Sequence, residues 1–231
     1  ALRPADLHGY ERPFLARFAT TTLPVVLNEV IWSLGVSIYT GIYARIGVDS
    51  VAAVNIASTI EGIAMGPFMG LGNACAIILG NALGAQDTAT ARDYARKFLA
   101  LAMVGALAVG VLIFGASRVI LDAYNISAAS AGYARGVMTV MAAALWIKAS
   151  NMVIIVGILR SGGDTRFSLF LDAGTVWLVG IPMALLGAFV FHLPVYWVVA
   201  MVMADEDAKL SFGLYRFFSR KWINNLAKNM A

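Results

Sequence analysis

The sequence predicts an all-α membrane protein, a bundle of six transmembrane helices, and three observations carry that prediction. Of 231 residues, 60% are hydrophobic and only 13% are charged, whereas a soluble domain is about half apolar and a quarter charged. Charges divide the chain into six apolar segments of 20 to 37 residues, lengths that suit helices of roughly 20 residues per crossing and not the ten-residue strands of an outer-membrane barrel. The bases fall unevenly between alternate loops, as they do where a bilayer sorts them. An ordinary water-soluble enzyme, a disordered tail and a disulfide scaffold are excluded by the same counts.

The segments follow in order. The first lies between Arg17 and Arg45 and is broken only by Glu29; the second lies between Asp49 and Asp87 and is broken only by Glu61. The third, Phe98 to Ser117, carries no charge, and the fourth, Arg135 to Arg160, contains Lys148. The fifth runs from Phe167 to Phe191 with Asp172 near its start. The sixth runs from Pro194 to Phe217 and is the least regular, because it contains Asp205, Glu206, Asp207 and Lys209. Residues 1–17 read as a polar cytoplasmic linker without the apolar core of a signal peptide, 18–217 as the six-helix lobe, and 218–231 as a basic cytoplasmic C-terminal helix.

Orientation follows from the bases. With a cytoplasmic N-terminus the inner side holds Arg3, Arg12, Arg17, Arg92, Arg96, Lys97, Arg160, Arg166, Arg216, Arg220, Lys221 and Lys228, and the outer side only Arg45, Arg118 and Arg135. Twelve against three predicts a multi-pass protein of the plasma (inner) membrane with both termini cytoplasmic. Bases scattered in this way form no nucleic-acid face. Cys75 alone, with His8 and His192, makes neither a disulfide nor a zinc cluster. Gly84-Ala-Gln-Asp-Thr88 and Gly162-Gly-Asp-Thr165 read as turns that end one helix and cap the next. No nucleotide-binding spacing, metal motif or nucleophile–base pair is present, so no catalytic residue, metal or cofactor is expected.

Function is expected from polar groups at bilayer depth. Glu29 lies about 11 residues into its span, roughly 16 Å from the edge at 1.5 Å per residue. Thr22, Glu29, Ser33, Ser37 and Thr40 share one stripe about 80° wide. A carboxylate facing lipid costs several kcal/mol, so the stripe should face a bundle interior or a wet cavity. Lys148 is also near mid-depth, with Asn151 one turn on, and needs a carboxylate or carbonyl partner. Asp172 lies within two turns of Arg166, which reads as an interfacial pair. Asp205 and Lys209 have i,i+4 spacing and can neutralise each other; with Glu206 they read as the lining of a cytoplasm-facing cavity. Prolines at 24, 67 and 182, with glycines around Pro67, favour helices that bend.

Four stretches carry a family resemblance: Leu23-Pro-Val-Val-Leu-Asn-Glu-Val30, Gly80-Asn-Ala-Leu-Gly-Ala85 ahead of Ala91-Arg-Asp-Tyr94, Leu159-Arg-Ser-Gly-Gly-Asp-Thr-Arg166, and Trp177 through Pro182. In this order they resemble the multidrug and toxic compound extrusion (MATE) transporters, and the match is to the C-terminal half, one lobe, of that family's twelve-helix protein. Arg12-Pro-Phe14 resembles the end of the linker between halves. The resemblance implies an antiporter that exports amphipathic compounds in exchange for H⁺ or Na⁺. Glu29 matches the family's seventh-helix carboxylate, while the tenth-helix neighbourhood reads Lys148-Ala-Ser-Asn151 and holds no acid. The implied partners are the bilayer, a small amphipathic substrate, and either an N-terminal half or a second copy that forms a homodimer. A lipid-linked oligosaccharide flippase of the same superfamily, with a basic cavity, and a structural membrane protein without transport activity are the competing readings.

Overall fold

Gly47 alone separates the first two helices, α1 (Arg12–Ile46) and α2 (Val48–Gly84), at φ 155°, a conformation that L side chains rarely adopt. The computed structural model describes residues 12–124 and 126–223. Within them follow α3 (Thr88–Asp122), α4 (Ala128–Arg160), α5 (Thr165–Val190), α6 (Val195–Val202) and α7 (Ala204–Phe218), with no strand among the described residues. Five of these helices are long and apolar enough to cross a membrane. The segment expected as the sixth crossing is divided: the chain leaves regular helix at Met203, between α6 and α7. Asp205, Glu206 and Asp207 directly after the break supply the reason, since acids near a helix N-terminus favour starting a new helix there over continuing an apolar one.

α1 starts at Arg12, inside the stretch expected as linker. α7 ends at Phe218 and the chain continues through turns to Ile223. Residues 1–11 of the expected linker and 224–231 of the expected basic tail lie outside the described residues.

Close packing comes from small side chains. In a bilayer, helices associate through van der Waals fit more than through the hydrophobic effect, so small residues mark interfaces. The buried face of α3 reads Ala91, Ala95, Leu99, Ala102, Ala106 and Gly110. A Cβ on Gly110 would stand 2.5 Å from the carbonyl oxygen of Ala142, so α3 meets α4 backbone to backbone. α4 packs against α2 and α3 on one side and against α6 and α7 on the other, and is the most enclosed span.

Two helices depart from regular α geometry. Widened π turns run over Val153–Arg160 in α4 and over Val176–Gly180 and Leu186–Val190 in α5. In α5 they flank the segment holding Pro182, whose ring lacks an N–H and crowds the preceding turn.

Apolar cores lie at both ends of the bundle. At the Gly47 end Tyr39, Ile56, Val137, Met138, Val176 and Val198 pack together. At the opposite end Leu79, Leu99, Ile154, Ile158, Phe217 and Trp222 do so. Loops tie each end: Asp49 accepts from Ser127 at 2.9 Å and Ser130 at 2.5 Å, and Arg216 grips Asp164 through Nε at 2.6 Å and Nη2 at 3.1 Å. Asp87 caps α3 through the Thr90 N–H at 3.0 Å, as its turn predicts. Asp164 does not cap α5 with its side chain; it is committed to Arg216.

Candidate functional site

Between the two cores the bundle holds a cleft of about 430 Å³. α1, α2, α4, α5 and α7 all contribute to its wall. α1 and α2 pack together near Gly47, where Tyr39 and Ile56 share a core, and contact each other sparsely overall. Trp32, Met65, Met69 and Met152 supply apolar wall, and Glu29, Glu61, Lys148, Asn151, Arg160, Asp172, Glu206 and Lys209 supply polar wall.

The polar groups form interhelical pairs. Lys148 Nζ on α4 donates to Glu61 Oε1 on α2 at 2.6 Å. Arg160 Nη2, also on α4, reaches Glu29 Oε1 on α1 at 2.9 Å. Asn151 Nδ2 donates to Glu206 Oε2 at 2.7 Å and to the Glu206 carbonyl at 2.9 Å, which joins α4 to α7. Asn28 Nδ2 on α1 donates to Asp172 Oδ2 on α5 at 2.8 Å. The Lys209 ammonium faces Glu206 at 3.0 Å and both Asp205 and Asp172 at 3.5 Å. Tyr39 OH donates to Asp205 Oδ2 at 3.4 Å. Buried charges at this depth are tolerated when paired in this way.

The sequence-expected residues divide into three groups. Glu29, Lys148, Asn151, Asp172, Glu206 and Lys209 line one cleft, and Asp205 stands behind it on Lys209 and Tyr39. Ser33 and Ser37 are exposed and do not line it; the Ser37 hydroxyl bonds back to the Ser33 carbonyl at 2.9 Å. Glu29 lies at the cleft's rim with its side chain 58% exposed.

Two expectations are corrected. Asp172 does not pair with Arg166, which is exposed; it turns inward to Asn28 and Lys209, because its side chain faces α1 and α7. The α1 polar stripe, expected to face a bundle interior or a wet cavity, reaches the cleft only at Glu29 and otherwise turns away from the interior of this bundle. The buried face of α1 is Asn28, Gly35, Tyr39, Ile42 and Tyr43, and at 100° per residue the stripe lies about 130° away from it.

Glu61 and Arg160 are the charged cleft residues that were not expected as site residues. Glu61 interrupts an apolar span at a depth that suits the lone Lys148, and that match was the available signal. Arg160 gave none, since a base at a span's end reads as an orientation marker. Counting Asp205, five carboxylates stand against three bases around the cleft, a formal excess of two negative charges.

The fold resembles solved transporter structures. An outward-facing conformation of a multidrug resistance MATE family transporter of the MOP superfamily superposes with a TM-score of 0.79 at 17% identity, covering 91% of this chain and 47% of that one. The Vibrio cholerae MATE transporter VcmN in its bent form gives 0.78 at 14% identity, over 94% of this chain and 50% of that one. Among curated proteins, multidrug resistance protein MdtK of Edwardsiella ictaluri is 27% identical over 180 residues, which is 78% of this chain and 39% of that protein. Protein DETOXIFICATION 17 of Arabidopsis thaliana is 24% identical over 125 residues, 54% of this chain and 26% of that protein. The chain thus spans less than half the length of the curated relatives it matches. The model of the MatE family matches residues 24–186, a stretch that runs from the first span through most of the fifth and includes the cleft walls on α1, α2, α4 and α5; the chain belongs to that family.

Proposed function

We propose that the chain is the C-terminal lobe of an antiporter that exports drugs or other toxic amphipathic compounds in exchange for H⁺ or Na⁺. The observation that carries this reading is the cleft itself: water-accessible, walled in part by methionine and tryptophan, and lined by four carboxylates, with Asp205 behind them, against three bases. Surplus carboxylates in such a site attract cations or protons, and polarisable apolar walls accommodate varied amphipathic shapes. Glu29 is the proposed coupling carboxylate, at the rim where ion and substrate meet. The names of the relatives, a multidrug resistance protein and a detoxification protein, support the same reading.

The lobe is incomplete by this reading. Glu29, Ser33, Ser37 and Thr40 are exposed on one side of α1, a face that in a bilayer requires a polar partner. Either an N-terminal half or a second copy of the chain supplies it, related by an axis along the membrane normal. The lobe is proposed to lie in the plasma (inner) membrane with both termini cytoplasmic, from the twelve-to-three distribution of bases. A flippase for lipid-linked sugar pyrophosphates would offer unpaired bases to its substrate. Lys148, Arg160 and Lys209 each face a carboxylate instead, which favours the antiporter.

Reconstitution in liposomes tests the proposal. The chain, alone and with a complementary half, is loaded against an imposed proton or sodium gradient and efflux of a fluorescent amphipathic cation is followed. Efflux that tracks the gradient is expected from the completed assembly. Gradient-independent leakage of the completed assembly would refute it, and native mass spectrometry identifies which partner completes it.

A further inference from the structure

Lys209 is only 2% exposed, and its ammonium faces three carboxylates, Asp172 on α5 and Asp205 and Glu206 on α7. Each of those carboxylates is also held from behind by a neutral donor. Asn28 donates to Asp172 at 2.8 Å, Tyr39 to Asp205 at 3.4 Å, and Asn151 to Glu206 at 2.7 Å. Groups oriented by such outer partners keep their positions independently of the cation they surround. The three acids therefore form a cage that Lys209 enters and does not itself build.

A second observation points the same way. Among the described residues the buried side-chain oxygens without a hydrogen-bond partner are Asn28 Oδ1, Asn151 Oδ1 and Asp205 Oδ1, and each belongs to this cage or to a donor that supports it. All three residues are at least nine-tenths buried. Oxygen acceptors are the ligand type that hard cations take. Lys148 lies outside the arrangement, because one carboxylate, Glu61, already meets it at 2.6 Å.

We infer that Lys209 is a tethered counter-cation that fills the Asp172–Asp205–Glu206 cage and excludes sodium from it. The inference rests on the cation-coupled reading and narrows it: ion exchange at this cage is restricted to protons. One ammonium against three carboxylates leaves two negative charges, which protons reaching the cleft can balance.

Thermal unfolding of the purified chain in detergent, with choline chloride replaced by NaCl at constant ionic strength and pH, tests the assignment. The wild type and Lys209→Arg should unfold at the same temperature in both salts. Lys209→Ala and Lys209→Met should be destabilised in choline and recover by about 5 °C or more in NaCl well above its Kd. Adding Asp205→Asn to either should diminish the recovery. A sodium-dependent rise in the wild type would overturn the assignment and leave cation coupling standing. Absence of a sodium response in both the Ala and Met variants, including failure to fold in either salt, would overturn it too. If the sodium results come as expected but no gradient drives efflux, the coupling reading fails and the cage assignment survives.

Discussion

Lys148 on α4 donates to Glu61 on α2 at 2.6 Å, across 87 residues of sequence, and the pair forms part of the wall of a cleft. It is the ion pair that joins α2 to α4 among the described residues. Removing one member strands the other at bilayer depth. Glu61→Gln or Lys148→Met alone should cost about 2 kcal/mol, a drop of roughly 4–8 °C in unfolding midpoint. The double variant should cost less than the sum of the singles, with a coupling of about 1 kcal/mol or more. Strict additivity would show that the pair contributes nothing.

Gly110 and Gly115 lie on the same helix in opposite circumstances. A methyl on Gly110 would press on the Ala142 carbonyl, whereas nothing lies within 4 Å of a methyl on Gly115. Gly110→Ala should therefore destabilise by about 1–3 kcal/mol through forced separation of α3 and α4. Gly115→Ala should be neutral or stabilising by about 0.5–1 kcal/mol through restored helix propensity. Midpoints of thermal unfolding in one detergent compare the two directly.

Glu29 meets Arg160 at 2.9 Å on the exposed rim of the cleft. In the completed transporter Glu29→Gln should lower gradient-driven export at least about tenfold, equivalent to ~1.4 kcal/mol of lost driving interaction. Membrane insertion and yield should be unchanged, since a rim carboxamide is tolerated by packing. Wild-type export at saturating substrate would remove Glu29 from the coupling role.

Val48 is 88% exposed beside Gly47, and Ala85 is exposed at the other end of the same helix. In a Cys75→Ser background, a membrane-impermeant thiol reagent should label Val48→Cys in intact cells and Ala85→Cys only after the membrane is opened. The reverse pattern would invert the orientation drawn from the bases.

Asp87 sits in the turn between α2 and α3, where its hydrogen bond from Thr90 holds its carboxyl below the ordinary aspartate value. A folded-state value lower than the unfolded one means a contribution that is complete above about pH 3.9 and lost as pH falls through the folded value. The midpoint difference between wild type and Asp87→Ala should stay constant at neutral pH and shrink below about pH 4. Asp87→Asn, which keeps the capping oxygen, should show a smaller difference at neutral pH that also shrinks below about pH 4, because the titrating group is the wild-type carboxylate.

Much of the architecture is written in local chemistry. Runs of apolar residues between charges locate the spans, because each crossing must satisfy its backbone internally over a fixed thickness. Turn residues place the loops, and Asp87 caps the helix its turn introduces. The sequence also places Glu29, Lys148 and Asp205 deep in spans, and the i,i+4 spacing of Asp205 and Lys209 foretells their contact. Each of these properties depends on neighbours within a turn or two.

Partners across helices belong to the tertiary structure alone. Helical periodicity assigns Glu29 and Asn28 to different faces of α1, but only packing decided that Asn28 turns inward to Asp172 while Glu29 lies at the rim with Arg160. In the same way Asp172 passes over Arg166, nearby in sequence, for Lys209 on another helix, and Glu61 finds its role only when α2 lies against α4. The physical reason is common to all of them. A residue's depth and face follow from the rise and turn of its own helix, whereas the identity of the group opposite depends on rotations and separations among helices that are set by the sum of many distant contacts.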